Sequence, residues 1–130
     1  MRDFALRFVA ALLALDLPAL TSMLAPDVVW HLPPFAKRPS LRGRDAVLTF
    51  VQDAQASYYQ PGTLRLEPAL VVADSESAAV LGTLRGRTIR GKDYENLYSF
   101  VFRIVDGRIV EAWELLDTAH LVAQMRSTTS

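Results

Sequence analysis

The sequence predicts an α+β fold: helices first, then a four-strand antiparallel meander, with one short strand lodged between the helices. Three observations carry this. Apolar residues recur at helical spacing over the first 24 positions and again over 45–58. From Thr63 onward the pattern changes to alternation, with Tyr98, Phe100, Phe102 and Ile104 on one side of a strand. Asp106-Gly107 between two such runs is a hairpin signal, because both central positions of that turn need positive φ.

The elements follow in order. Phe4, Phe8, Leu12 and Leu15 stack on one helix face. Asp16 is placed to cap a second helix through Leu24, with Pro18 tolerated in its first turn and Pro26-Asp27 ending it. Val28 to Leu32 reads as a short strand stopped by Pro33-Pro34, since proline cannot donate to a ladder. A loop carrying Lys37, Arg38, Pro39 and Arg42 runs to Gly43. A third helix begins near Asp45, with Val47, Phe50, Val51, Ala54 and Tyr58 as its stripe, and Pro61-Gly62 breaks it. The meander occupies 64–73, 78–90, 94–105 and 108–117, with Gly82, Gly86 and Gly91 as bulge or bend positions. Leu121, Val122 and Met125 return to helical spacing before Ser127-Thr128-Thr129-Ser130 frays.

Bulk composition narrows the function. One domain over 1–130 suits 130 residues, and 51% hydrophobic residues supply its core. Formal net charge is +0, which argues against nucleic acid or an anionic membrane as partner. Arg85, Arg87 and Arg90 are followed by Asp93 and Glu95, as in a solvated strand and turn. The chain has no cysteine, so disulfides, thiolate zinc sites and a cysteine nucleophile are excluded. The N-terminal apolar stretch is broken by Arg7 and Asp16, and no run approaches a membrane span, so a cytoplasmic protein is expected. There is no phosphate-cradling glycine loop, and His31, His120 and Glu114 lack a metal-binding spacing; neither cofactor nor metal is expected.

Three phrases carry a resemblance: FVAALLALDLPALTSMLAPDVVWHLP at 8–33, LRGRDAVLTFV at 41–51 and YENLYSFVFRIVDGRIVEAWELLD at 94–117. In order and spacing they resemble the nuclear transport factor 2-like superfamily, in its SnoaL-like and ketosteroid-isomerase-like branch. The resemblance implies a cone-shaped α+β barrel, with N-terminal helices packed on a strongly curved sheet around a pocket. Its members include a polyketide cyclase, a steroid isomerase and an epoxide hydrolase, so function must come from the site. The isomerase pattern implies a tyrosine where this chain has Phe8, a base at Leu32 or His31, and a third group near Tyr98. The hydrolase pattern falls on Val80, Gly82, Glu114 and His31, which lacks its arginine and one aspartate. The cyclase pattern implies one carboxylate late in the last strand, Glu114 ahead of Asp117.

On these grounds His31, Glu114 and Tyr98 are the candidate catalytic groups. Histidine suits proton transfer near neutrality, and a glutamate on an apolar inner face is costly unless paired or protonated. Asn96 and Phe100 share the parity of Tyr98; Trp30, Phe8, Phe50 and Tyr58 are expected to complete a substrate-binding wall. Alternation sets Trp30 and His31 on opposite faces unless the Pro33-Pro34 bend turns the imidazole inward, so a surface or core histidine stands beside the catalytic one. The expected partner is a small hydrophobic molecule, with cofactor-free proton transfer on a ketone-like substrate as the leading function. A non-catalytic ligand-binding or dimerisation domain, and an epoxide hydrolase-like enzyme with an altered site, are the alternatives. Leu81, Thr83, Val101 and Trp113 are expected to form an outer patch for a homodimer.

Overall fold

The computed structural model describes residues 1–33 and 40–126. Helices α1 (Arg2–Ala14) and α2 (Leu17–Met23) lead into strand β1 (Leu24–His31), then β2 (Ser40–Arg42) and helix α3 (Arg44–Tyr58). Strands β3 (Arg65–Ala73), β4 (Ser77–Arg87), β5 (Asp93–Val105) and β6 (Arg108–Leu116) follow, and α4 (Thr118–Arg126) ends the described chain. The loop residues Pro34, Lys37, Arg38 and Pro39 and the tail from Ser127 lie outside the described residues.

The six strands form one sheet in the order β2-β1-β6-β5-β4-β3. β3 to β6 are an antiparallel meander, and β1 joins β6 in parallel. Among the described residues β2 and β3 are the sheet's two edges and do not pair with each other, so the barrel is open. α1 packs on β3 and β4, α3 on β1, and α4 on β5. No helix among the described residues is long and apolar enough to cross a membrane.

Local chemistry explains most boundaries. The Asp16 carboxylate accepts the Ala19 N–H at 3.2 Å and caps α2. Asp106 and Gly107 both take positive φ, 52° and 74°, and close the β5–β6 hairpin. The arginine run is a solvated surface: Arg85 pairs with Glu67 and Glu95, and Arg87 with Asp93 at 2.9 Å. Along β5 every even-numbered residue from Tyr94 to Ile104 is buried, as the alternation predicts. The aromatic core sits on that face, with Phe8 edge-on to Phe102 at 5.1 Å between ring centres and 6.0 Å from Trp30.

Three departures from the sequence expectation have physical causes. β1 starts at Leu24, not Val28, and Pro26-Asp27 lies where its pairing with β6 slips. A bulge is where a strand tolerates a residue without an N–H. β2 stands in the stretch expected as loop; its one buried residue, Leu41, pairs with Trp30. The third departure is a bulge in β6. Val105 faces Arg108 and Ile104 faces Ile109, but Arg103 faces Glu111, which makes Val110 the extra residue.

Gly82 occupies a second tight point, where β3 slips between Pro68 and Leu70. A Cβ at Gly82 would lie 2.4 Å from the Glu67 carbonyl oxygen and 3.0 Å from the Pro68 Cα. Both are backbone atoms, so the strand itself must move. Gly82→Ala is expected to destabilise the fold by about 1–3 kcal/mol, the range for overpacking. A thermal-unfolding midpoint equal to that of the wild type would show that β3 yields freely.

Candidate active site

The bulge at Val110 decides which face each β6 side chain meets. Without it the hairpin register would set Trp113 against Phe100, on the inner face, and Glu114 outward. With it, Glu114 faces Phe100, while Trp113 pairs with Val101 on the outer face. A carboxylate thus enters an apolar interior and an indole leaves it.

Glu114 lines a cavity of about 110 Å³ between α1, α3, β5 and β6. Its walls are mainly hydrocarbon, including Leu12, Phe50, Val51, Tyr58, Phe100 and Leu116. The Trp30 indole N–H donates to Glu114 Oε1 at 3.3 Å, the long end of hydrogen-bond range. Desolvation pushes the Glu114 pKa from 4.5 up to about 7, against the smaller opposite pull of the Trp30 bond. Among the cavity's described lining residues Glu114 is the one carboxylate. Val80 and Gly82 supply neither the arginine nor the aspartate of the hydrolase pattern.

Tyr98 is buried on the same wall, opposite Leu116 and so diagonal to Glu114. Diagonal positions on one sheet face are separated by roughly 7–8 Å, which leaves room for a ligand atom between their polar ends. The Tyr98 hydroxyl lies 3.5 Å from that of Tyr59 and 3.4 Å from that of Tyr94. Burial raises the pKa of both Tyr98 and Tyr59 well above the ordinary phenol value, so both stay protonated.

The other predicted residues divide clearly. Phe50, Tyr58 and Phe100 line the cavity. Trp30 and Phe8 are fully buried beneath it; Trp30 reaches the site through its N–H, and Phe8 is core packing. Asn96 lies on the inner face but does not line the cavity: its Nδ2 donates to the Tyr94 hydroxyl at 3.0 Å and to the Asp117 carbonyl at 2.9 Å. Asp117 caps α4, accepting the His120 N–H at 3.0 Å.

His31 does not join the catalytic candidates Glu114 and Tyr98 in the cavity, which corrects its reading as a catalytic group there. Its ring stacks on Trp113 on the outer face, 5.1 Å between centres. Its Nε2 bonds Glu111 Oε2 at 2.6 Å and its Nδ1 the Ser40 hydroxyl at 3.0 Å. Arg103 holds the other Glu111 oxygen at 2.7 Å, and the His31 bond, followed by Arg103, lowers the Glu111 pKa. Strand alternation from the buried Trp30 wins, and the imidazole stays on the outer face. Sequence reasoning missed Tyr59, Tyr94 and Gln55. The Tyr58-Tyr59 pair at the end of α3 was a usable signal, because one of two neighbours must face in when the helix gives way to extended chain.

No group of three or more His, Asp or Glu side chains among the described residues is placed to hold a metal. A search of curated proteins found no match. Among solved structures, a nuclear transport factor 2-like protein of unknown function from Burkholderia pseudomallei is 26% identical, with 96% of each chain covered and a TM-score of 0.82. IdmH from Streptomyces antibioticus, a proposed polyketide cyclase, is 26% identical over 94% of this chain and 95% of its own, with a TM-score of 0.79. A proposed SnoaL-like polyketide cyclase from a Jannaschia species shares 14% identity over 96% of this chain and 90% of its own at a TM-score of 0.82, which speaks to the fold alone. The SnoaL-like domain model matches residues 5–112. With the helices, the open curved sheet and the inner cavity in place, the chain belongs to the SnoaL-like domain family of the nuclear transport factor 2-like fold.

Proposed function

We propose that the protein binds a small, largely apolar ketone-like molecule in the inner cavity and moves a proton on it with Glu114. The observation that carries this is the carboxyl group at the wall of a hydrocarbon cavity, its pKa raised to about 7. Such a group is shared between acid and base forms near neutrality, where general acid–base catalysis is most effective. The ionised carboxylate takes a proton from the carbon next to the carbonyl. The C–H electron pair moves onto the carbonyl oxygen as an enolate. Return of the proton to another carbon is an isomerisation; attack of the enolate carbon on a second carbonyl closes a ring; loss of a neighbouring hydroxyl is a dehydration. Resemblance to IdmH supports the ring-closing form. The cavity, below the roughly 300–1,000 Å³ of pockets for drug-sized ligands, favours a compact substrate or one whose remainder extends outward.

A homodimer through the outer sheet face is a second proposal. Leu70, Val72, Leu97, Val105 and Leu115 are about half exposed on that face. A shallow depression of about 560 Å³ runs among Leu81, Thr83, Leu97 and Leu115. A second copy of the same face would cover this stripe with matching apolar surface.

Exchange of the α-proton of cyclohexanone in D₂O, followed by NMR, tests the chemistry. The wild type should exceed buffer, with a rate that climbs with pH and levels off above about 7 as the base form saturates. Glu114→Gln should lower the rate by roughly 10²–10⁴-fold. Binding without exchange would make the protein a ligand-binding module, and equal rates in both proteins would remove Glu114 from the reaction.

Stability gives an independent check. The folded-state pKa lies above the unfolded value, so the folded protein holds the extra proton between about pH 4.5 and 7, and stability falls as pH rises through that window. At about 1.4 kcal/mol per pH unit the loss is roughly 3 kcal/mol. Glu114→Gln should match the wild type near pH 4 and be more stable by about 2–3 kcal/mol at pH 8.5, measured by chemical denaturation. A difference that does not change with pH would show that the carboxylate is well solvated.

For the dimer, sedimentation at micromolar concentration should give twice the 14.4 kDa chain mass. Leu97→Glu should shift it to monomer. A wild-type monomer overturns the proposal.

A further inference from the structure

On the outer face, at the β2 edge of the sheet, His31 belongs to an ordered series of its own. The pairing of β1 with β2 makes its first link. The Gly43 N–H donates to the Val28 carbonyl at 2.8 Å, and hydrogen-bonded pairs alternate from there. His31 and Ser40 therefore oppose each other as a non-hydrogen-bonded pair, the kind whose side chains stand closer. The Ser40 hydroxyl lies 3.0 Å from His31 Nδ1, and His31 Nε2 lies 2.6 Å from Glu111 Oε2. Arg103 holds the other Glu111 oxygen at 2.7 Å.

The proton positions follow from the acceptor at one end. The His31 bond, then Arg103, holds Glu111 below the ordinary carboxylate range, so Glu111 is ionised and can only accept. The proton between Glu111 and the ring therefore sits on Nε2. In the neutral imidazole this leaves the Nδ1 lone pair facing Ser40, whose O–H donates to it. A hydroxyl, a base within reach of it and a third group that orients the base are the parts of an activated nucleophile. We infer that Ser40 is a nucleophile for acyl transfer from an activated carboxylic ester, with His31 as its base and Glu111 and Arg103 as positioning residues.

The Ser40 proton passes to His31 Nδ1 as the Oγ–carbonyl bond forms. The bond to the leaving oxygen then breaks, and His31 returns the proton to that oxygen. Water, deprotonated by the same nitrogen, releases the acid and restores Ser40. The imidazolium formed midway lies against the Glu111 carboxylate and flat on the Trp113 ring, and both attract a cation. β2 is an edge strand, and the alternation aims the Ser40 N–H away from β1, toward that edge, where it can donate to the oxyanion. The His31 side chain is 29% exposed, so an acyl group reaches the pair from solvent. The site shares no residue with the cavity and does not rest on the reaction proposed for Glu114.

Diisopropyl fluorophosphate, which leaves a permanent adduct on an activated serine, tests this, with peptide mass spectrometry to locate the adduct. The wild type should be labelled on Ser40, and the labelled protein should lose its hydrolysis of p-nitrophenyl acetate. His31→Gln should slow the labelling of Ser40 by roughly 10²-fold or more, the range for loss of a general base. The imidazole ¹⁵N shifts, read at about pH 8.5 where histidines are neutral, should place the proton on Nε2 in the wild type. In Glu111→Gln the proton should move toward Nδ1 and the labelling of Ser40 should fall with it, which a purely structural role for Glu111 would not produce. No adduct on Ser40 in the wild type, labelling unchanged in His31→Gln, or a wild-type ring protonated on Nδ1 overturns the inference. The first and last of these need no variant, so they hold even if a replacement fails to fold.

Discussion

One extra residue in β6 holds the site together. Val110 breaks the β5–β6 register just past the hairpin, and every later side chain of β6 changes face as a result. Ala112 and Glu114 turn inward; Glu111 and Trp113 turn outward. Two features of the site follow from that exchange. A carboxyl group gains a hydrocarbon neighbourhood that opposes its ionisation, and a large apolar ring is left to be covered on the outside.

The fold offsets each consequence locally. Inside, the Trp30 N–H gives Glu114 a hydrogen-bond partner while its ring fills the space beneath, packed among Phe8 and Phe102. A single neutral donor moderates the desolvation without cancelling it, whereas a cation at the same place would have pinned the carboxylate in its charged form. Outside, His31 lies flat on Trp113, and the Ser40–His31–Glu111–Arg103 chain ties β1, β2, β5 and β6 together. The two faces are thus electrostatically distinct: paired charges without and, among the described residues lining the cavity, one carboxylic acid within.

Gln55 adds a tie between helices. Its amide donates to the Leu12 carbonyl at 2.9 Å, so the end of α1 and the last turn of α3 are held as one wall of the cavity. Tyr59 then leaves α3 in extended conformation and bridges to Thr88, which anchors the tyrosine cluster to the sheet. The aromatic floor and the hydroxyl chain share β5, with Phe102 in the first and Tyr94 and Tyr98 in the second.

Much of the architecture was legible in local chemistry. The Asp16 cap, the Asp106-Gly107 turn, the inward row from Tyr94 to Ile104 and the order of elements each depend on residues near one another in the chain, where propensity and alternation act directly. Glu114 was legible as a candidate because a charge in an apolar strand stands out. The stacking of His31 on Trp113, the short β2 pairing and the meeting of Tyr59 with Tyr98 were not. They depend on a strand register that slips by one residue, on one buried leucine among polar neighbours, and on contacts between positions 39 residues apart. Neighbours in sequence fix which shapes a segment prefers; only the closed set of pairings fixes which face a side chain ends on, because a slip of one residue costs little locally and reverses everything downstream.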